Sequence, residues 1–529
     1  QRLRLRQSYV SAPSSTTDMA RMQAILVVLA LAGVEAFSPS WRGAGRLARA
    51  RPVARSATSS RVASQGLSMT ACFQKAIPRE EAVKKFDEAV VDFGVSDMTK
   101  TATVPGGGIG LVATKDISEG ERILSVPQGL MIGPTIIKAR HADLGKAIAD
   151  AGCSDIEDTV LALGLMREAR LGEASPYALY IASLPTTDED LAGMPTLWSE
   201  EEREKLLKDT HALIAIDDCL ARIKMHWDVL VGHNVADAIT IGTVKPPAIA
   251  PSADELFHDF VRAHALVSTR ALPFGQELTM IPYLDMANHR KGATNSCGIN
   301  VMPNDDPKKE EFAAVITTEA PVKAGDEVVI DYCTGSSRAS WDMLLQYAFV
   351  EGETEEEFKE AGGRPLMFEG IKPDDPIALQ KRAALAALGC EDDPSQSDDG
   401  VGALTWIECR DGESNESMGP LLRLARLNTE TAPELAEKIK KWDCPPKELW
   451  EALNEPLNDE TEADVARQVI GVCDEALSKL PPLDEKLRGQ ATDYSDLKAC
   501  FAARVIIGER HAVESTQKKW SAVLAEFAP

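Results

Sequence analysis

Apolar positions along this chain change period several times, and each change marks an element. Between residues 80 and 100 the run EEAVKKFDEAVVDFGV carries apolar residues at helical spacing and predicts an amphipathic helix. Residues 103–133 alternate glycine-rich turns with short β-prone runs and predict two or three strands. Residues 136–240 return to long helical periods, the Pro-rich stretch Val244–Pro251 breaks them, and another helix is expected over Ala253–Arg270. Residues 278–350 read as strands again (LTMIPYLDMANH, EFAAVITTEA, DEVVIDYC). Beyond Glu351 an acidic, Gly/Pro-punctuated stretch runs to about residue 400, and the remainder is helical. The expected class is α+β: a strand-rich domain over 80–355 with a helical insertion at about 136–260, an acidic linker over 356–400, and an all-α domain over 401–529.

A chain of 529 residues with 44 % hydrophobic positions can build two or three cores. Its charge of −25 is unevenly placed: residues 1–79 hold 12 Lys/Arg against Asp18 and Glu35, a net of +10, which leaves −35 on the rest. So acidic a body does not track a phosphate backbone, and nucleic acid is not an expected partner. The 10 cysteines form no C-x-x-C pair and no Cys/His cluster of zinc spacing, so they read as reduced thiols and no metal is expected.

The basic N-terminal part explains itself as targeting. Residues 1–18 read as untranslated read-through ahead of Met19, and 19–36 as a signal peptide whose apolar run Ala24–Val34 is too short to span a membrane. Residues 37–75, rich in Arg, Ser and Ala and free of acidic residues, read as a transit peptide. Such a bipartite leader, with Phe37 at the junction, predicts delivery to a plastid stroma and no membrane in the mature form. The alternative is a secretory signal with a basic linker.

Three motifs carry candidate chemistry. Gly106–Gly110 lacks the Rossmann spacing and the Lys-Ser/Thr of a phosphate loop; taken alone it is a tight hairpin or a loop that lets a ligand approach the backbone. Tyr283–His289 ends in an Asn-His pair that is ordinarily a turn. Gly325–Tyr332 is a Gly-Asp turn into an alternating strand, where a tyrosine usually packs.

The order of the three is what discriminates. GGGIGLVATKDISEGERILSVP, then PYLDMANH, then AGDEVVIDY resembles the SET-domain protein-lysine methyltransferases at their defining segments. SPYALYIASLPTTDEDLAGMPTLWSEEEREKL and LVSTRAL resemble the branch that includes the plastid Rubisco methyltransferases, and LLRLARLN, VARQVIGVCDEALSKLP and AARVIIGERHAVE resemble its substrate-binding domain. The resemblance implies a SET fold, small β-sheets with a knot-like crossing, that binds S-adenosylmethionine (AdoMet), with a protein substrate docked by the helical C-terminal domain. It implies that Gly108, Ile109 and Gly110 lie along the cofactor, that Arg270 reaches its carboxylate, and that Asp285, Asn288 and His289 hold the adenosyl part. Tyr332 would be the catalytic tyrosine, also touching the cofactor, and Tyr347 and Phe349 would shape the channel for the target side chain.

The chain departs from that pattern at Gly107, where many relatives carry an acidic residue, at Cys333 in place of glycine, in a longer segment between Tyr332 and Tyr347, and in having no tyrosine between Tyr283 and Tyr332. One branch of the resemblance methylates a histidine of actin, with an asparagine and a tryptophan where this chain has Leu272 and Leu284. An apolar wall there favours lysine over imidazole. Rubisco large subunit and aldolase are the plastid targets the resemblance implies. The alternatives are a SET-like binding module and a methyltransferase acting outside the plastid.

Overall fold

The computed structural model describes residues 72–527 apart from 74–76, 105–107, 188, 241–251, 293–296, 304–311, 334–337, 373, 388–391, 394–402, 411–417 and 442–443. The leader expected over 19–75 lies outside these residues except for Cys72 and Phe73, and Val244–Pro251 and Gly106–Gly107 also lie outside them. Cys72 and Phe73 are buried in a helical core, and the Cys72 N–H donates to Asp259 Oδ2 at 2.6 Å. The folded part therefore starts upstream of residue 80. Backbone packing divides the chain into two compact units, one running to residue 364 and including 479–512, the other made of 365–478 and 513–529.

In the larger unit, helix α1 (Arg79–Asp92) precedes strands β1 (Thr99–Val104), β2 (Gly108–Ala113) and β3 (Arg122–Pro127). The helix is shorter than the 80–100 run suggested: Gly94 at φ +70° ends it and lets the chain turn toward β1. The helical layer follows as α2 (Pro134–Arg140), α3 (Ala142–Asp150), α4 (Glu157–Leu171), α5 (Ala178–Ser183), α6 (Glu200–Leu206), α7 (His211–Val231), α8 (Val235–Thr240) and α9 (Ala253–Arg270). Local chemistry sets its starts. Ser199 with Glu202 and Ser252 with Glu255 form reciprocal capping boxes on α6 and α9, and Thr210 caps α7. The layer is held by α4 and α9, whose Leu161, Leu165, Phe260 and Leu266 are fully buried, each worth roughly 1.5–3 kcal/mol of apolar transfer.

The strands resume as β4 (Ala271–Phe274), β5 (Glu277–Met280), β6 (Asn288–His289), β7 (Cys297–Pro303), β8 (Phe312–Thr318) and β9 (Glu327–Ile330). They form small sheets in the orders β1-β2-β9-β6 and β3-β8-β7, with a β4-β5 hairpin. In the first sheet β9 runs antiparallel to β2 and parallel to β6, pairing Asn288 with Val329 and His289 with Ile330. This register matters because it sets the Asn-His pair beside the strand that leads into Tyr332.

Helices α10 (Ser340–Tyr347) and α11 (Glu355–Glu360) complete the sequence up to β10 (Arg364–Glu369). Residues 479–512 belong to the same unit. They contain α17 (Glu485–Gln490) and the first half of α18 (Leu497–Phe527). Phe501 and Val505 pack with Trp341 and Leu344, and Ile506 and Ile507 pack with Phe358. Glu509 is fully buried and accepts the N–H groups of His211 and Ala212 at 2.8 and 3.0 Å and the Arg364 guanidinium at 2.6 Å.

The smaller unit holds a sheet in the order β10-β12-β11, with β11 (Asp392–Asp393) and β12 (Ala403–Cys409), and helices α12 (Ala378–Ala387), α13 (Met418–Arg426), α14 (Pro433–Lys440), α15 (Pro446–Asn454) and α16 (Asp459–Lys479). Its core gathers Leu366, Phe368, Leu422, Val465, Val469 and Trp520. The buried carboxylate of Glu462 is gripped by Arg423 through two parallel bonds, Nε to Oε1 at 2.8 Å and Nη2 to Oε2 at 2.7 Å.

The acidic linker expected over 356–400 is corrected by α11, β10 and α12. Glu356, Glu357, Glu360, Glu369 and Asp374 are exposed, while Phe358, Leu366, Phe368, Ile371 and Ile377 are buried. Composition alone hid that inner face. No helix among the described residues is long and apolar enough to cross a membrane.

Candidate functional site

The site is built where the strand after α9, the turn before β6 and the end of β9 converge. Tyr283 has φ +76°, an unusual conformation for an aromatic residue, and is buried with its hydroxyl 3.1 Å from Thr99 Oγ1. The turn it makes swings Asp285 inward. There the Asp285 carboxylate accepts the Tyr180 hydroxyl at 2.6 Å, and Arg270 Nη1, from the last residue of α9, lies 3.4 Å from the same oxygen and 3.1 Å from the Asp285 carbonyl. Burial raises the Asp285 carboxyl above its ordinary range, against the pull of Arg270 and the Tyr180 hydroxyl. Two polar atoms of this group, Arg270 Nε and Asp285 Oδ1, are buried without a hydrogen-bond partner among the described residues.

Tyr332 follows β9. Its hydroxyl donates to the Ala287 carbonyl at 2.8 Å, and its N–H donates to His289 Nδ1 at 3.0 Å. That second bond commits Nδ1 as acceptor, and Nε2 faces Glu351 Oε1 at 2.8 Å. The His289 ring stacks beside Tyr332 at 5.0 Å and Phe349 at 5.9 Å, and Tyr347 lies 4.9 Å from Tyr332. Burial pushes the Tyr332 phenol well above its ordinary value, with Arg270 opposing, so it is a protonated hydroxyl at neutral pH.

A narrow cavity joins these groups. It is lined by Arg270, Leu272, Asp285, Ala287, Ile330, Tyr332 and Tyr347, with Thr269 and Ala271. Beside it, on β2, Gly110 faces Asn288 and Glu327. A Cβ on Gly110 would stand 2.6 Å from Asn288 Nδ2 and 2.7 Å from Glu327 Oε1, closer than any side chain tolerates. Over Gly108, at φ +70°, a Cβ position has no atom within 4 Å, so the backbone there is open to an approaching group.

The structure thus gathers Arg270, Leu272, Asp285, Tyr332 and Tyr347 around one cavity and sets Gly110, Asn288 and His289 in the adjoining strands. Leu284 is fully buried in the sheet core and does not line the cavity. Phe349 also stands off it, against His289 and Tyr347. Asp285 is engaged by Tyr180 and Arg270, so it braces the guanidinium. Sequence reasoning missed Tyr180, Glu327 and Glu351. Tyr180 lay inside a resembling segment (SPYALY), but nothing in its spacing points across 105 residues to Asp285. His289, Asp331 and Cys333 bring possible metal-ligand atoms within 4.8 Å of one another. His289 Nδ1 is already used by the Tyr332 N–H and Asp331 Oδ1 by the Cys333 N–H at 2.9 Å.

Comparison with known proteins matches residues 108–333 to the SET domain and residues 372–512 to the Rubisco LSMT substrate-binding domain. Among curated relatives, the chloroplastic [fructose-bisphosphate aldolase]-lysine N-methyltransferase of Arabidopsis thaliana is 26 % identical over 451 residues, covering 82 % of each chain. The chloroplastic Rubisco large subunit N-methyltransferase of Nicotiana tabacum is 24 % identical over 428 residues, 79 % of this chain and 77 % of that one. Among solved structures, the SET domain of LSMT bound to lysine and AdoHcy superposes with a TM-score of 0.66 at 21 % identity, covering 85 % of this chain and 93 % of that one. That likeness establishes the fold.

Proposed function

From a chain that joins a SET domain to a Rubisco LSMT substrate-binding domain, we propose a protein-lysine N-methyltransferase that uses AdoMet and acts on a plastid protein such as Rubisco large subunit or aldolase. The observation that carries the reading is the Tyr332 hydroxyl, protonated and anchored on Ala287, in one cavity with Arg270, Leu272 and Tyr347.

The residues present suit the cofactor. Arg270 Nε and Asp285 Oδ1 are buried polar atoms in want of partners, Gly108 leaves the backbone open, and Asn288 stands above Gly110. Arg270 would take the carboxylate, which suits a guanidinium fork. Gly108, Ile109, Gly110, Asn288 and His289 would border the remainder, with Asp285 bracing Arg270. When bound, AdoMet supplies a methyl group on a sulfonium.

The rest is the work of this chain. A lysine entering between Leu272, Ile330 and Tyr347 loses water, and desolvation favours its neutral amine. The Tyr332 hydroxyl, its O–H donating to the Ala287 carbonyl, keeps oxygen lone pairs to accept an amine N–H and aim the nitrogen. The gain is alignment of two reactants, worth up to about 7–11 kcal/mol for well-oriented partners. Tyr332 needs no deprotonation, and a phenol held above its ordinary value is no general base at neutral pH.

Leu272 in the cavity wall supports lysine as the target, since an imidazole there would leave its nitrogens without partners. The chloroplastic relatives support a plastid setting, and the basic stretch 37–75, free of acidic residues, supports stromal delivery. Incubation with AdoMet and purified Rubisco or aldolase, followed by mass spectrometry of peptides, tests the reading: methyl-lysine on either substrate is expected. A reporter fused to residues 19–80 tests the address, and cytosolic or nuclear signal would overturn it.

A further inference from the structure

Glu327 belongs to none of the roles above, yet it stands inside the cradle. It opens β9, paired with Val112 of β2. Its Oε1 accepts from Asn288 Nδ2 at 2.8 Å, over the face that Gly110 leaves bare. Its other oxygen lies 3.8 Å from the half-exposed Arg290 guanidinium. The side chain itself is 18 % exposed, so its carboxylate works largely out of water.

A carboxylate can only accept hydrogen bonds. The end of the Asn288 amide that faces it is therefore the NH2, and the carbonyl Oδ1 is turned away from it. A neutral amide at position 327 would remove that restriction, because it can present either a donor or an acceptor. We propose that Glu327 is a positioning residue for the cofactor: it locks the Asn288 amide so that its carbonyl accepts from an N–H donor of AdoMet, and it places negative charge behind that acceptor. AdoMet has two such donors, the α-ammonium and the adenine amine. The ammonium gains most from a carboxylate one hydrogen bond away, since charge-assisted and polarised bonds are the stronger ones. Position 107, a glycine, offers no carboxylate of its own.

This inference rests on the methyltransferase reading, and its test separates the two. Calorimetry on the full chain would compare AdoHcy with methylthioadenosine, which keeps the adenine amine and lacks the ammonium. Glu327→Gln is expected to weaken AdoHcy about five- to tenfold, the size of one well-oriented hydrogen bond, and to leave methylthioadenosine unchanged. Glu327→Ala, which adds no bulk, must show the same selective loss. Equal AdoHcy affinity in variant and parent overturns the inference. A loss shared equally by both ligands overturns the assignment to the ammonium. If the parent chain binds neither ligand, it is the methyltransferase reading that falls.

Discussion

The Tyr332 hydroxyl donates to the carbonyl oxygen of Ala287 at 2.8 Å, and that bond decides what the phenol can do. Its proton is spent on the protein, so its lone pairs are what it offers to the cavity. Replacing Tyr332 with Phe should lower methyl transfer by about 10²–10³-fold, the usual loss for one preorganised polar group. AdoHcy affinity, measured by calorimetry, should stay within about twofold, because Arg270 and Asn288 remain. Unchanged turnover would remove Tyr332 from the chemistry.

Gly110 has no room for a methyl group: Asn288 Nδ2 and Glu327 Oε1 already occupy its face. Gly110→Ala should push the Asn288–Glu327 pair apart, cost about 1–3 kcal/mol of stability as an overpacked site, and lose cofactor binding. Gly108→Ala meets no atom within 4 Å but must hold φ +70°, so its cost should be backbone strain of about 1 kcal/mol. Urea unfolding of both variants, with AdoHcy titrations, checks the contrast.

Ending the chain near residue 360 is a tempting way to isolate the catalytic unit, and the packing argues against it. Phe501, Val505, Ile506 and Ile507 would be lost from around Trp341 and Phe358, and the N–H groups of His211 and Ala212 would lose Glu509. Four buried apolar side chains at roughly 1.5–3 kcal/mol each equal the whole stability of an ordinary domain. Such a truncation should lack a cooperative thermal transition. A sharp transition with AdoHcy binding intact would contradict the assignment of 479–512 to the larger unit.

His211, buried with its ring 4.6 Å from Trp341, has its pKa lowered from 6.5 to about 3 by burial, with the Arg364 cation adding to the effect. The unfolded chain takes up a proton as pH falls through the ordinary histidine value, while the folded chain refuses it until about pH 3. The stability is therefore present above about pH 6.5 and is lost on acidification. The first two pH units of that window should cost about 2–3 kcal/mol. His211→Phe should flatten the slope of unfolding free energy between neutral pH and about pH 4.5, whatever it does to the level at pH 7. An unchanged slope would reject the assignment.

How much of this was readable from the chain differs by residue. Motifs with a fixed order brought Gly110, Asn288, His289 and Tyr332 to attention, and the helical period over Ala253–Arg270 marked α9 with its bounds. Leu284 was misjudged as a channel wall: its neighbour Asp285 turns toward Arg270, and the strained Tyr283 turn sends Leu284 into the core. Tyr180 and Glu327 act through partners 105 and 39 residues away, a relation no local pattern encodes. The stretch after Glu351 looked like a linker because its charge dominates its composition, while the buried face of Phe358, Leu366 and Phe368 is sparse in sequence.

The most direct test of the account is methyl transfer itself. The chain from residue 72 onward, which keeps Cys72 and Phe73 in the core, would be incubated with radiolabelled AdoMet and a soluble plastid extract beside its Tyr332→Phe variant. The account predicts one or a few labelled proteins, lost with the variant and carrying the label on lysine. Undiminished labelling by the variant, label on histidine, or no label from a chain that still binds AdoHcy would contradict it.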